Sequence, residues 1–291
     1  LFLYLHLKEK NMKRIVYSLM ALLIGSVAMA QIQMPAPSPT FELKGTVGLA
    51  EVSVVYSRPS ARGREIAGNL IPYNEVWRTG ANRATKITFD TPVTFGGEKV
   101  EAGSYAIFTI PSKDEWTFIL NTATESWGAG DYSEENDVAR IEVESMDMPH
   151  MENMMFYFDE LKDGSANLIL RWAETGISIP VTVDYKKIAV QNIEAEFKKY
   201  ENKYRLYDNA ADFYVSNNMD PDKAIEYAKK SVEMNPKFWN MRTLSEAYAA
   251  AGNYKDAIKA AEKSMKLAEE AEYEPYIKIN KENIKKWKSK M

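Results

Sequence analysis

The chain has 291 residues, with 37 lysines and arginines against 41 aspartates and glutamates, and a formal net charge of −4. It contains no cysteine and two histidines, His6 and His150. The lack of cysteine excludes disulfides, thiol nucleophiles and zinc–thiolate sites. Because His150 is the one histidine beyond the N-terminal segment, a two-histidine metal site is excluded there, and a Ser-His-Asp triad has a single candidate imidazole.

Residues 1–30 have the pattern of a secretory signal peptide preceded by a few upstream residues. Lys13-Arg14 supply a basic start, Ile15–Ala28 an apolar middle, and Ala28-Met29-Ala30 a small-residue cleavage site. The apolar run is shorter than the roughly 20 residues that a membrane-spanning helix needs. We therefore expect cleavage after Ala30, no membrane span afterwards, and a secreted, periplasmic protein.

Residues 31–40 form a proline-rich leader, and the apolar pattern from 41 to 185 has the period of two that is typical of β-strands. Turn signals such as Gly96-Gly97 and Lys162-Asp163-Gly164 separate the apolar runs. The predicted strands are Val47–Ser57, Ala84–Phe89, Ser104–Ile110, Trp116–Asn121, Val138–Val143, Met154–Phe158, Ala166–Trp172 and Ile177–Val183. Many short strands without intervening helices predict an antiparallel, jelly-roll-like β-sandwich over residues 41–185.

Residues 186–291 have a helical period and contain an internal repeat. Ala224–Met234 aligns without a gap with Ala257–Leu267, and Pro236 follows the first copy. This spacing predicts tetratricopeptide-like helical hairpins, and hence a multi-domain protein with a β domain followed by an α domain. The lysines of this region are spread around the helices instead of forming one basic face, so no nucleic-acid partner is predicted.

The stretch from Arg58 to Arg83 is a long, turn-rich interruption of the strand pattern. It holds five of the seven arginines of residues 31–185, a region that is otherwise acidic. Arginine binds carboxylate or phosphate groups and stacks on aromatic rings, so the stretch predicts a pocket for a small anionic or sugar-like ligand. The candidate ligand-binding residues are Arg58, Arg64, Tyr73, Trp77, Arg78 and Asn82. A packed loop, pinned by arginine–carboxylate pairs and with Trp77 in the core, explains the same residues equally well.

A second candidate stretch is Trp127–Tyr132, followed by Glu134, Glu135 and Asp137. Paired carboxylates near aromatic rings are what glycoside hydrolysis requires. A glycine-rich hairpin with solvated charges explains the same residues and is the favoured interpretation. His150 is expected in a surface loop, and the methionines of the surrounding segment are expected to fill the core or loops instead of binding a metal.

A set of motifs in the first part of the chain resembles a family of secreted bacterial proteins defined only as a domain of unknown function. The motifs are Tyr56-Ser57-Arg58-Pro59, Gly63-Arg64, Pro72-Tyr73, Trp77-Arg78-Thr79-Gly80-Ala81-Asn82, Ala84-Thr85, Ala102-Gly103-Ser104-Tyr105 and Trp127-Gly128. The resemblance spans residues 35–185 and implies a signal peptide; some members also carry a tetratricopeptide-like tail. It implies no activity, and the family's usual motif has other residues near Arg62 and Ala67, which makes those positions poor candidates for chemistry.

Three functions are compatible with these patterns. The first is a non-catalytic binding module, with a small anionic or carbohydrate ligand at the arginine-rich loop and a protein partner at the helical repeat. The second is a purely structural scaffold or interaction protein. The third is a carboxylate-dependent glycan hydrolase. The lack of cysteine and the scarcity of histidine favour the binding module, for which no catalytic residue, metal or cofactor is predicted. They do not exclude catalysis by carboxylates.

Overall fold

The computed structural model describes residues 34–200 and 202–291, so the predicted signal peptide and its cleavage after Ala30 lie outside the described residues. The chain divides into two compact units. In the described part, the first unit consists of residues 34–45, Glu51–Glu160 and Asn167–Val181. The second consists of Thr46–Ala50, Leu161–Ala166 and Thr182–Met291. The predicted order of β structure followed by α structure is confirmed.

Ten strands form two sheets in the described residues. The strands are β1 (Thr40–Val47), β2 (Ala50–Ser57), β3 (Thr85–Phe89), β4 (Val93–Phe95), β5 (Glu98–Val100), β6 (Gly103–Ile110), β7 (Glu115–Asn121), β8 (Asp137–Glu144), β9 (Met146–Lys162) and β10 (Ser165–Thr182). One sheet has the order β1-β2-β3-β6-β7-β8, and the other has the order β5-β4-β10-β9. The pairs β2–β3, β3–β6, β6–β7, β7–β8 and β4–β5 are antiparallel.

Aromatic side chains from the two sheets meet in the core of the first unit. Phe95 of the smaller sheet lies with its ring centroid 5.4 Å from Phe118 and 5.7 Å from Phe89, both of the larger sheet. All three rings are almost completely inaccessible to solvent. Buried positions alternate with exposed ones along strands such as β8, so the period of two in the sequence reflects the burial of one face of the strand in the core.

Several predicted strand boundaries are wrong. The run Val47–Ser57 is not one strand, because the chain turns at Gly48, whose φ of 60° is a left-handed conformation that glycine adopts readily. Conversely, the two strands predicted at either end of residues 166–183 are the single strand β10. Ala173 has a φ of 49° in the middle of β10, and this irregularity interrupts the alternation on which the prediction relied.

The methionine-rich segment is also a strand and not the predicted loop. It forms the first half of β9, and His150 lies within it. The imidazole of His150 is exposed, as expected, with Nδ1 2.8 Å from Glu174 and Nε2 3.4 Å from Glu152. These two carboxylates raise the pKa of His150, with the hydrogen bond to Glu174 as the largest cause. The sequence of this segment did not predict a strand, because methionine has no strong strand preference and the methionines do not alternate regularly with polar residues.

Six α-helices follow in the described part of the chain. They are α1 (Tyr185–Lys199), α2 (Tyr204–Ser216), α3 (Pro221–Met234), α4 (Phe238–Ala250), α5 (Tyr254–Glu270) and α6 (Glu274–Lys288). Side chains cap several N-termini: Asp184 accepts from the Lys187 amide, and Asp220 accepts from the amides of Asp222 and Lys223. None of these helices is both long enough and apolar enough to cross a membrane.

The internal repeat is visible in the buried positions of the helices. Small residues are buried at matching points of α3 and α5, namely Ala224 and Ala257, Ala228 and Ala261, and Ser231 and Ser264. Small side chains let neighbouring helices approach closely, which explains why the sequence repeats them. The assignment of this arrangement to the tetratricopeptide class stays a prediction.

A buried asparagine follows each of these serines and bonds to it. Asn240 donates to the Ser231 hydroxyl (3.0 Å) and to the Asn235 carbonyl (2.9 Å), and it accepts from the Lys237 amide (2.8 Å). Asn280 donates to the Ser264 hydroxyl in the same way (2.8 Å). The Asn240 side chain therefore joins the end of α3, the following turn and the start of α4.

We predict that Asn240→Ala lowers the free energy of unfolding by about 2 kcal/mol, because three buried hydrogen bonds are lost. Urea denaturation followed by circular dichroism at 222 nm measures the change. Asn209→Ala, at an exposed position of α2, is the control and should change stability by less than about 0.5 kcal/mol. If Ser231→Ala and Asn240→Ala have strictly additive effects, the bond between the two side chains does not contribute.

Candidate functional site

The arginine-rich loop is joined to the strands by backbone hydrogen bonds. Trp77 and Thr109 exchange two of them, with N···O distances of 2.7 and 2.8 Å, as paired strand residues do. Nearer the start of the loop, the Ala61 amide donates to the Glu152 carbonyl (2.7 Å). Contacts at both ends hold the excursion against the sheets, so the loop has a defined path instead of projecting freely.

Trp77 is packed among aromatic rings. Its ring is stacked on Trp172 at 6.0 Å and meets the edge of Trp116 at 6.4 Å, and its indole nitrogen donates to the Gly80 carbonyl (3.2 Å). The free space beside these rings is about 10 Å³. This volume holds no more than about one water molecule, so the Trp77 ring is a packing element and not the wall of an open pocket.

The three predicted arginines make few contacts with carboxylates. Arg64 donates to the carbonyls of Ala61 (2.9 Å) and Ser60 (2.7 Å), which stabilises the turn in which it lies. The Arg58 guanidinium lies 5.0 Å from the centre of the Phe41 ring. Among the residues that the structure describes, the buried Nε atoms of Arg58 and Arg78 have no hydrogen-bond partner. Arg83, at the end of the stretch, forms an ion pair with Glu125, and both side chains are exposed. Within residues 34–200 and 202–291, Arg58, Arg64 and Arg78 do not form the arginine–carboxylate pairs of the packed-loop interpretation.

Tyr73 and Asn82 border two different cavities. Tyr73 lies beside a cavity of about 670 Å³ whose charged lining is Asp114, Glu115, Glu144, Asp147 and Lys113. An anion would be repelled by these carboxylates. The structure therefore places Tyr73 beside a surface that does not suit the predicted anionic ligand.

Asn82 borders a separate cavity of about 430 Å³ with Arg83, Lys86 and Trp127. Its amide donates to the Ser38 carbonyl (3.2 Å) and to the Ser57 hydroxyl (3.1 Å). Asn82 therefore ties the leader to the end of β2. The six predicted residues do not converge on one pocket, and their role in binding stays a prediction.

The carboxylates of the second predicted site have structural partners. Asp137 accepts hydrogen bonds from Asn121, Tyr132 and Arg140, each at 2.7 Å. Burial, followed by the bond to Asp137, raises the pKa of Tyr132 to about 12. The Asp137 side chain is thus held by three donors at the start of β8, while Asp131 and Glu134 are exposed. This arrangement favours the structural interpretation over a catalytic pair.

A groove on the helices of the second unit has the features that the loop lacks. It has a volume of about 560 Å³ and is formed by one face of α2, one face of α4 and the start of α6. We name it the aromatic groove, and its lining residues are Arg205, Asp208, Asn209, Asp212, Phe238, Trp239, Arg242, Thr243, Tyr273 and Tyr276. Spacings of three and four residues on α2 and α4 place these side chains on the same faces.

Four aromatic rings form one wall of the groove. Phe238 is at the centre, stacked on Tyr273 at 5.3 Å and in edge contact with Tyr276 and Trp239, both at 4.8 Å. Tyr273 is 46% exposed. Such a cluster is preorganised, since the rings hold one another in place, and it presents a large contact area to a ligand.

Charged groups face this wall. Arg242 forms an ion pair with Glu246 (2.9 Å), and the Arg205 guanidinium lies 5.8 Å from the centre of the Trp239 ring. Two polar atoms at the groove, Oδ1 of Asp208 and Nε of Arg242, are buried without a hydrogen-bond partner in the described part of the chain. Buried polar atoms are normally paired, so these two leave one acceptor and one donor unsatisfied beside the groove.

Burial of the Asp208 carboxyl raises its pKa above the usual range. The nearby charge of Asp212 acts in the same direction, whereas Thr243, Arg242 and Arg205 oppose the shift. Across residues 34–200 and 202–291, no group of three or more histidine, aspartate and glutamate side chains could hold a metal ion. The groove presents aromatic faces, charged groups and hydrogen-bonding atoms, which are the features that molecular recognition uses.

The sequence patterns predict a partner site at the helical repeat but indicate none of the individual residues of the groove. The sequence did contain an indication of the groove. Aromatic and charged residues recur on α2, α4 and α6 at positions that do not face the buried alanines. One sequence could not show that these three faces meet, because their proximity depends on how the helices pack.

The comparison with known families concerns the strands. Residues 38–181 match the family model described as a protein of unknown function, DUF2911. The match confirms that this stretch is similar to a domain of unknown function, and the description of that family names no activity. The DUF2911 match ends before α1, so it does not include the aromatic groove. No curated protein matches the chain.

We predict that Trp77→Ala lowers the free energy of unfolding of the first unit by about 3 kcal/mol, because truncating a packed tryptophan leaves a cavity. Urea denaturation followed by near-ultraviolet circular dichroism measures the change. Tyr73→Ala removes a half-exposed ring from the same loop and is the control, with a loss below about 1 kcal/mol. A stable Trp77→Ala protein would show that Trp77 is not a packing element.

Proposed function

We propose that the protein is a non-catalytic binding module whose aromatic groove holds an extended segment of a partner protein. The observation that carries this proposal is the combination of an open aromatic wall with two buried polar atoms that lack partners, Asp208 Oδ1 and Arg242 Nε. A peptide supplies both a donor and an acceptor at every residue. It also supplies side chains for the aromatic wall.

The size of the groove fits such an occupant. Its volume of about 560 Å³ falls within the range of roughly 300–1,000 Å³ typical of ligand sites. The groove is open along the faces of α2 and α4. An open groove suits an extended peptide better than a compact ligand, which would be enclosed. Aromatic residues and arginine are also the side chains that most often dominate protein interfaces, and both are present here.

We assign a mainly architectural role to the arginine-rich loop. This assignment rests on the packing of Trp77 between two tryptophans and on the turn contacts of Arg64. The proposal thus keeps the protein partner at the helical repeat and treats the arginine-rich loop as a packed structural element. The glycan hydrolase is not proposed as a function, because Asp137 is held by three donors and its neighbours are solvated.

A sugar-like ligand remains a second candidate at one place in the first unit. The cavity beside Asn82 carries Trp127, which is 67% exposed, together with Arg83 and Lys86. An exposed indole beside polar side chains is the arrangement that stacks on a sugar ring while its hydroxyls are hydrogen-bonded. We also propose that the protein acts in the envelope, on the basis of the N-terminal export pattern and the lack of cysteine.

Panning the purified protein against a displayed library of random 12-residue peptides tests the groove. We expect enriched peptides whose affinity falls about tenfold or more in Tyr273→Ala, because an exposed interface tyrosine typically contributes above 1 kcal/mol. Fluorescence anisotropy of the labelled peptides measures the affinity. Trp127→Ala, which removes an exposed aromatic ring from the first unit, is the matched control and should leave affinity unchanged.

Two results would contradict the proposal. If panning enriches no sequence above the unselected library, the groove is not a peptide site. If enriched peptides bind Tyr273→Ala as well as they bind the parent protein, they bind elsewhere. A loss confined to Trp127→Ala would move the binding site to the cavity beside Asn82.

A further inference from the structure

We infer that the aromatic groove selects peptide segments that carry a lysine or arginine side chain, whose cation is held by Asp208 and Asp212 in front of the aromatic wall. This inference rests on the proposed function, since it names the chemistry of the segment that the same groove binds. Three observations carry it: the position of the two carboxylates, the partners of the two arginines, and the aromatic faces between them.

The two carboxylates lie one helical turn apart on α2, and both line the groove. Asp208 is partly buried, and its Oδ1 atom is inaccessible to solvent and has no donor in the described structure. Asp212 is exposed at the edge of the groove. A buried carboxylate oxygen without a donor is unfavourable, so a ligand that brings a charged N–H group is stabilised there more than a neutral one.

The arginines at the groove have partners. Arg242 is paired with Glu246, and Arg205 lies over the face of Trp239. Together with Glu246, the charged groups at the groove comprise two cations and three anions. Thr243, Arg242 and Arg205 favour the charged form of Asp208, and the carboxylates at the groove still outnumber the cations. A cationic ligand balances this excess, so its charge complements the groove.

The aromatic wall favours the same charge. Tyr273, Tyr276 and Trp239 lie around Phe238, on the α4 and α6 sides of the groove. Trp239 and Tyr276 already have the guanidinium groups of Arg205 (5.8 Å) and Arg242 (5.9 Å) near their ring centres, whereas Tyr273 is 46% exposed. Aromatic faces attract cations, and the long methylene stem of a ligand's lysine or arginine packs on the exposed ring. In the described part of the chain, Nε of Arg242 is a buried donor without an acceptor, and it would accommodate a backbone carbonyl of the peptide.

The affinity of the groove for such a cationic peptide depends on pH. The groups around Asp208 are Arg205 and Asp212 on α2, Thr243, Arg242 and Glu246 on α4, and Tyr276 on α6. Burial raises the pKa of Asp208, so at a given acidic pH more of this carboxyl is protonated in the empty groove than of an ordinary aspartate. A bound cation favours the carboxylate form. Binding therefore releases a proton under those conditions, and affinity falls as the pH is lowered through the raised pKa.

The test uses four pools of randomised peptides on the purified whole chain, each with one central residue held constant as lysine, arginine, norleucine or glutamate. We expect the lysine and arginine pools to bind about tenfold or more tightly than the norleucine pool, as a charge-assisted hydrogen bond implies, and the glutamate pool to bind most weakly. Asp208→Asn should abolish this preference. Glu233→Gln, which neutralises an exposed carboxylate of α3, is the matched control and should retain it.

Asp212→Asn provides a second variant in case Asp208→Asn impairs folding, and circular dichroism shows whether either is folded. If all four pools bind equally and still depend on Tyr273, the charge preference is overturned while the peptide-binding function stands. If no pool binds, both proposals fail. A preference for the glutamate pool would overturn the inference and assign recognition to Arg205 and Arg242.

Discussion

The packing of the Trp77 indole against Trp116 and Trp172 is the contact on which the path of the long loop in the first unit depends. Hydrogen bonds between Trp77 and Thr109 fix the backbone at the same point. With the loop held there, residues on either side take left-handed conformations, including Thr79 and Asn82. Such conformations persist only where surrounding contacts enforce them. The aromatic and turn residues concentrated in this stretch therefore hold the loop in its conformation.

The second unit is organised by small buried side chains that recur with the internal repeat. Alanines at matching points of α3 and α5 let the helices pack closely, and the buried serine–asparagine pairs add directional bonds at the turns. Tyr207 and Tyr214 of α2 are also buried, whereas the aromatic and charged side chains that line the groove lie on other faces of α2 and α4. The aromatic groove is thus a consequence of how the helices pack.

The two units differ in how their candidate binding residues are arranged. The first resembles a family without a known activity, and its candidate ligand residues are divided among separate cavities. The second combines an aromatic wall, paired arginines and a carboxylate oxygen that has no donor among the residues the structure describes, all in one open groove. Unsatisfied buried groups and preorganised rings point to binding more directly than charge clustering does, because clustered charges also arise from structural contacts.

The sequence by itself determined the order of β and α structure, the matched domain of unknown function, the internal repeat of the helices and the absence of thiol chemistry. These properties follow from local patterns: the period of two, the period of 3.6, and composition. Only the tertiary structure decided that Trp77 packs between Trp116 and Trp172, that Tyr73 and Asn82 face different cavities, and that β10 is continuous through Ala173. It likewise decided that Asp208 and Tyr276 line one groove. Each of these depends on contacts between residues far apart in the chain, and no local pattern specifies which distant side chains meet.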